Sequence, residues 1–400
     1  MVSAQIAVFW LAYVFGMHIA MVNIGIGLGV LVPYLKYRAS RNGDKNLLGF
    51  SYQLMRFYAA TYGVAGVFAT AFTVFLLSFY PQFLGIAGNI TLVPFGLSIL
   101  MIVVHFFSIA TYYYGWDRWS ETIHNTIGFL LAISALLIPF GFRAVFAFLN
   151  YPKGLYFTGV TPHLKVTEAL ANPTFAPLYL KSIVAALTTG LLIVGGYAAV
   201  SYYRSTDPEY KKTMKQVVER SVPWSLVGLG LMFVLGLWYA LSLRIVPYKF
   251  NNVFGAFGWK VGDGTVAVNV AWIFVIKMIL YVSQIYIAYT AYKALKTEGF
   301  LNENQAKNLL LAGVLAVLTI VLGEYLNAFS QYPYFIAGAT VPAVIKSIPP
   351  QVLPQLAAAI NLENPNALAL EGAVQAITTA FMIFLTASVI YFFYVFFKKE

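Results

Sequence analysis

Nine stretches of this chain are each long and apolar enough to cross a lipid bilayer, at about residues 5–34, 52–79, 91–115, 122–149, 178–203, 224–247, 264–292, 308–328 and 371–397. A spanning helix needs ~20 mainly apolar residues, and the hydrocarbon layer tolerates only helices or closed barrels because it offers no water to unpaired backbone groups. A transmembrane barrel would be written as alternating segments of roughly 10 residues. The stretches here are too long and too uniformly apolar for that. The predicted fold class is therefore an all-α integral membrane protein, a bundle of about nine transmembrane helices. Composition agrees: of 400 residues, 60% are hydrophobic and only 10% charged, so the apolar residues are the ones that face the solvent, which is lipid.

The formal net charge of +11 would point to nucleic acid in a chain without spans, so the placement of the basic residues decides its meaning. Sixteen of the 25 Lys and Arg fall on one side: Lys36, Arg38, Arg41, Lys45, Arg56, Arg118, Arg204, Lys211, Lys212, Lys215, Arg220, Lys293, Lys296, Lys307, Lys398 and Lys399. Seven fall on the other: Arg143, Lys153, Lys165, Arg244, Lys249, Lys260 and Lys346; Lys181 and Lys277 lie inside spans. The positive-inside rule then predicts the N-terminus outside and the C-terminus inside. The charge speaks for topology in a membrane, and no nucleic-acid partner is expected.

The first apolar run has no charge before it and no small-residue cleavage site, so it reads as a retained span rather than a signal peptide. It is longer than spanning requires; either the helix tilts, or residues near 3–13 lie along the outer interface before the chain turns inward. With no cysteine in the chain, disulfides, thiolate metal sites and covalent haem attachment are excluded, and any cofactor must be held by other ligands. Short connections join most spans. Residues 150–177 and 329–369 are longer, rich in Gly and Pro, and predicted as outer loops with short interfacial helices. They divide the chain into a four-helix half, 1–149, and a five-helix half, 178–400. Gly25, Gly27 and Gly29 lack the preceding strand of a nucleotide fingerprint and read instead as a close helix contact.

Ionisable side chains in spans are costly, and they usually face a bundle interior, a partner or a cofactor. Those here are His18, His105, Lys181, Lys277 and Glu324, with His124 and Asp117 at one inner boundary and Arg56 at another. Neutral imidazole suits haem iron in apolar surroundings, so His18 and His105 are candidate haem ligands; the alternative for each is a ring bonded to a helix carbonyl. His124 follows Tyr112-Tyr113-Tyr114-Gly115-Trp116-Asp117-Arg118 and reads as a helix-terminus histidine. Lys181, Lys277 and Glu324 read either as interhelical ion pairs or lysines snorkelling outward, or as a proton path or haem-propionate site.

The segment from Gly16 to about Ile138 resembles the N-terminal half of the large subunit of cytochrome bd-type oxygen reductases. Two anchors carry the resemblance: Met17-His18 opening a Gly-rich first helix, where the family has the histidine of its oxygen-reactive haem, and Tyr114-Gly115-Trp116-Asp117-Arg118 followed by Ile123-His124. Weaker echoes are Asn172-Pro173 before the fifth span and Gln331-Tyr332-Pro333-Tyr334 after the eighth. There are departures too. Where the family places the histidine of its low-spin haem the chain has Lys181, and where it places the opposing methionine the chain has Lys277 or Met278. An ammonium cannot ligate iron, so the low-spin haem is expected to be missing or differently held. The family's third-span acidic pair becomes Leu97 and His105, and its eighth-span glutamate ligand maps near Val321, one turn from Glu324. The quinol-binding loop shrinks to about 248–263 without its acidic motif, which speaks against quinol binding.

The resemblance implies a multi-pass subunit of a respiratory complex in a prokaryotic plasma membrane, binding haem b, or a modified haem at His18, and relaying electrons, with oxygen reduction as one outcome. His18 would be an axial ligand and His105 a second; His124 would belong to the haem-binding set, and Glu324 would serve a second iron or pair Lys181. Expected partners are membrane lipid, other membrane subunits such as a bd-like paralogue, and a cytochrome or other electron carrier. Two alternatives stand beside this: a haem-poor structural paralogue packed on a complete catalytic subunit, and a secondary transporter, which lacks the expected inverted repeat.

Overall fold

The computed structural model describes residues 2–398; Lys399 and the side chain of Lys398, placed above on the basic side, lie outside the described residues. The helices are α1 (Val2–Asn42), α2 (Lys45–Phe79), α3 (Pro81–Ile90), α4 (Leu92–Tyr114), α5 (Glu121–Asn150), α6 (Val166–Leu170), α7 (Phe175–Arg204), α8 (Pro208–Ser242), α9 (Pro247–Phe254), α10 (Ala271–Thr297), α11 (Glu303–Ser330), α12 (Pro342–Ile345), α13 (Leu353–Ala359) and α14 (Gly372–Lys398). Among the described residues nine are long and apolar enough to span a membrane: α1, α2, α4, α5, α7, α8, α10, α11 and α14.

Polar first turns explain why several helices begin well before their apolar runs. Asp44 accepts from the Leu47 amide and starts α2 at Lys45 rather than 52. Asp207, followed by Pro208, starts α8 far ahead of 224. Asn302 and Gln305 form a reciprocal capping box on α11. Each cap satisfies amides that have no partner in the first turn. The first helix is continuous over 41 residues, about 60 Å at ~1.5 Å per residue, so the expected alternative of an interfacial segment that turns inward is not what forms. Nothing in residues 3–13 breaks a helix, and Ala4, Ala7, Val8, Leu11 and Ala12 are buried against neighbours, while Phe9 stays exposed.

Connections alternate between a short-loop end (43–44, 115–120, 205–207, 298–302) and a capped end (80–91, 151–174, 246–270, 331–371). The capped end is one packed layer. The Asn366 amide donates to Phe79 O at 2.7 Å, Tyr80 donates to Leu362 O at 2.9 Å, and Phe83 stacks on Phe335 at 4.1 Å. Asn252 donates to Ser330 O and Tyr332 O, tying α9 to the end of α11. Two elements of this layer differ from expectation. Residues 150–177 hold an antiparallel hairpin, β1 (Leu155–Thr158) and β2 (Thr161–Leu164), turning at Gly159 with φ +60°; residues 81–90, expected as connection, form α3.

α1 packs against α2, α5, α7 and α11 and so lies at the centre of the bundle. Its crossing with α7 depends on glycine: a Cβ at Gly27 would come 2.4 Å from Ala186 O and 2.9 Å from the Gly190 Cα. The close approach expected of this Gly-rich stretch is made there. Outward faces carry Trp224, Phe233 and Trp238 of α8 and Trp272, Ile279 and Tyr286 of α10, all exposed, as lipid-facing residues of a span are.

Candidate functional site

His18 sits on the central helix, half-buried, with Nδ1 2.9 Å from the carbonyl oxygen of Ala65 on α2. A carbonyl only accepts, so Nδ1 carries the proton and Nε2 keeps its lone pair. Among the described residues Nε2 has no hydrogen-bond partner. This is the arrangement of a metal-ligating imidazole, whose second nitrogen donates to a carbonyl that fixes its tautomer and orientation. One turn away, Phe15 lies 4.9 Å from Phe72 and 5.4 Å from Phe146, ring to ring, making apolar walls from α1, α2 and α5. Gly16 packs on Val321 of α11, with Val321 O at 3.4 Å from a Cβ built on it, so α11 meets α1 at the level of His18.

Glu324 lies one turn further along α11, buried, with Oε1 3.8 Å from Nη2 of buried Arg143 on α5. Arg143 also lies over the Phe146 ring at 5.4 Å, linking the ion pair to the aromatic walls below His18. Glu324 acts electrostatically on His18 as well. The ion-pair partner is thus Arg143 rather than the expected Lys181, whose Nζ lies over the Tyr239 ring at 4.5 Å. Lys277 of α10 reaches across to Gly323 of α11, where Nζ stands 3.3 Å from the position of a Cβ.

A third lysine completes this cluster. Lys249 of α9, 2% exposed, donates to Asn150 Oδ1 at 2.6 Å and to Asn327 Oδ1 at 2.5 Å. Asn327 donates in turn to Glu324 Oε2 at 3.5 Å, and Asn150 to the Tyr239 hydroxyl at 3.2 Å. Burial lowers the Lys249 ammonium to about 7, the charge of Glu324 opposing the shift. Arg143 and Lys249 were counted above only as basic residues of the outer side. Arg143 falls inside the apolar run 122–149 and was legible there as an intramembrane charge, whereas Lys249 sits in a short segment whose burial depends on Asn150 and Asn327 from distant helices.

His105 is placed differently. Ser134 donates to Leu131 O at 3.0 Å, so its oxygen accepts from Nδ1–H of His105 at 2.9 Å, leaving Nε2 to accept from the Tyr58 hydroxyl at 2.5 Å. Both ring nitrogens are engaged by protein groups, with Tyr62 packed against the ring at 5.5 Å. His124, at the short-loop end, donates from Nε2 to Tyr112 O at 3.0 Å and packs on the Tyr112 and Trp116 rings; its Nδ1 is buried without a hydrogen-bond partner. Lys36 lies over Trp116 at 5.3 Å beside it. The structure therefore brings His18 and Glu324 together with Lys181 and Lys277, and keeps His105 and His124 in two separate polar contacts.

Among the described residues no group of three or more His, Asp or Glu could hold a bare metal ion. His18 and His124 each keep one ring lone pair free of a hydrogen bond among the described residues; of the two, His18 has apolar rings and a buried charge cluster alongside, and it is the donor a porphyrin, which brings its own four nitrogens, would take.

The model of the family described as cytochrome bd terminal oxidase subunit I matches residues 6–249. A curated relative from Bacillus subtilis (strain 168), named "Putative cytochrome bd menaquinol oxidase subunit I", is 24% identical over 195 residues, which is 48% of this chain and 44% of the relative. The match thus spans less than half of that relative's length. The chain is also similar to a chain in the solved structure of bd oxidase from Geobacillus thermodenitrificans, with a TM-score of 0.71, 15% identity and 98% of each chain covered, a likeness that shows the fold. With nine helices fit to span among the described residues and a family match over more than half its length, this chain is a multi-pass plasma-membrane protein that belongs to the cytochrome bd terminal oxidase subunit I family.

Proposed function

We propose that this chain is a haem-binding subunit of a bd-type respiratory membrane complex, in which His18 is an axial ligand of a b-type haem and the chain relays electrons, oxygen reduction being the reaction served. The observation that carries this reading is the state of His18: Nδ1 held by Ala65 O at 2.9 Å, Nε2 without a partner among the described residues, on the central helix of the bundle. When bound, a haem would supply a one-electron redox centre at His18. The protein's part is to fix the ring through Ala65, to exclude water with Phe15, Phe72 and Phe146, and to set the local potential through the charges of Glu324 and Arg143.

A second haem between the fifth and seventh spans is not part of this reading. The positions that would ligate it hold Lys181, over the Tyr239 ring, and Lys277, against Gly323. His105 serves instead as a bonded link between α2, α4 and α5. The basic residues clustered at the short-loop end support placing that end, and the C-terminus, on the inner side. The short segment 246–270 and its lack of an acidic motif favour an electron donor other than a quinol bound there, supplied by another membrane subunit or a carrier protein.

Reduced-minus-oxidised absorption spectra of the purified complex test the reading. Haem bands present in the wild type and lost or displaced in His18→Ala are the expected result; bands that are identical in the two proteins overturn it.

A further inference from the structure

Two lysines inside the bundle lack an oxygen partner. Arg143 faces Glu324 at 3.8 Å, and Lys249 has the amide oxygens of Asn150 and Asn327. Lys181 and Lys277 make no hydrogen bond or ion pair among the described residues; Nζ of the first lies over the Tyr239 ring and Nζ of the second beside Gly323. Loss of a proton would not cure this, because the N–H groups and lone pair of an amine also need partners in an apolar interior. Neither nitrogen is sealed. Among the described residues the side-chain polar atom that is both buried and without a partner is His124 Nδ1, so the Nζ atoms of Lys181 and Lys277 face accessible space.

The register of the helices puts that space in one layer. Lys181 lies six residues from the capped-end terminus of α7, Lys277 six from that of α10, Glu324 six from that of α11 and Gly236 six from that of α8, a depth of about 9 Å. Gly236 lies seven residues from Leu229 and so shares its face of α8. That face meets α10, since the Tyr281 hydroxyl donates to Leu229 O. Yet a Cβ on half-buried Gly236 would meet nothing within 4 Å. The seam between α8 and α10 is therefore closed at Tyr281 and open one turn nearer the capped end, where Lys277 stands. Toward the outer aqueous phase an apolar cluster that includes Phe250, Phe254, Ile273 and Leu326 covers the layer. Toward the bilayer, Leu237 of α8 and Ile276 of α10 are exposed at the same level. A ligand reaches this space from lipid.

We propose that the space between α7, α8, α10 and α11 binds the anionic oxygen head, carboxylate or phosphate, of a membrane amphiphile, with Lys181 and Lys277 as its cationic partners and its tail lying toward lipid along α8 and α10. Lys181 stands in the field of Lys277, and the carboxylate nearest both, Glu324, already faces Arg143. Two like charges in an apolar layer repel, and an anion between them offsets the repulsion and supplies the oxygens that both nitrogens lack. The site lies on α7, α8, α10 and α11, whereas His18 reaches toward α2, so the inference does not depend on a haem at His18.

Equilibrium binding of tritiated palmitate and, separately, of tritiated phosphatidylglycerol to the delipidated complex in a non-ionic detergent tests this. Saturable binding of palmitate marks a carboxylate head and saturable binding of phosphatidylglycerol a phosphate head; hexadecanol and phosphatidylcholine, which lack the net negative charge, should not compete. Lys181→Met and Lys277→Met each remove a charged hydrogen-bond donor and should weaken binding by about 10- to 100-fold. Lys277→Arg keeps the charge and should bind as the wild type does, as should Lys260→Met, exposed on the connection at the capped end. Absence of saturable binding of either probe, equal competition by the uncharged or zwitterionic analogue, or unchanged affinity in both Met variants overturns the proposal, and none of these results alters the haem bands by which His18 is tested.

Discussion

Glu324→Gln removes the carboxylate that Arg143 faces while leaving the shape of the side chain in place. The pair is separated by 3.8 Å and both partners are buried. With an effective dielectric constant near 20, unit charges at that distance attract by about 4 kcal/mol. Removal of one partner from a buried pair costs roughly 3–5 kcal/mol, because the other charge is left uncompensated; the two routes agree. Neighbouring lysines can shed protons in response, but Arg143 cannot. The variant should therefore lose about 3–5 kcal/mol in denaturant unfolding of the detergent-purified protein at neutral pH. In the double variant Arg143→Met/Glu324→Gln most of that loss should return, giving a non-additive cycle with a coupling energy of up to about 3 kcal/mol. Stability equal to the wild type in Glu324→Gln, or strict additivity in the cycle, would refute the argument that this pair carries the charge balance of the cluster.

Three further outcomes follow from the same contacts. Gly27→Val should force α1 from α7, since its Cβ would stand 2.4 Å from Ala186 O, and thermal unfolding should register an overpacking cost of about 1–3 kcal/mol or more. Tyr58→Phe deprives His105 Nε2 of its donor in a buried site, a cost of about 1–3 kcal/mol, and should leave the haem bands in place because His105 is not the iron ligand in this reading. Stability should also depend on Lys249: its folded pKa of about 7 lies below the ordinary 10.5, so between those values the unfolded chain binds the extra proton. Stability then rises with pH across that window, by at most about 1.4 kcal/mol per unit, and a pH series of unfolding curves on Lys249→Met should lack that component.

The nine spans were legible because lipid imposes one pattern, a long apolar run, and that pattern survives any packing arrangement. Helix starts such as Lys45 and Pro208 were not, because the caps that set them extend beyond the bilayer where apolarity no longer marks the helix. His18, Lys181, Lys277 and Glu324 stood out as ionisable residues in apolar runs, and α1, α7, α10 and α11 bring them to one region. Their pairing could not be read, since Glu324 meets Arg143 only through the packing of α5 beside α11. His105 shows the limit most clearly: in sequence it is as good a ligand as His18, and only Tyr58 and Ser134, 47 and 29 residues away, distinguish the two. Lys249 needed Asn150 and Asn327, 99 and 78 residues distant, before its burial had any visible cause.

The most direct measurement is an experimental density map of the purified complex around the first span. The expected result is a planar macrocycle whose iron is bonded to Nε2 of His18, with Nδ1 still on the Ala65 carbonyl. A map in which that imidazole touches only protein atoms or lipid would contradict the assignment and leave this polypeptide without its redox role.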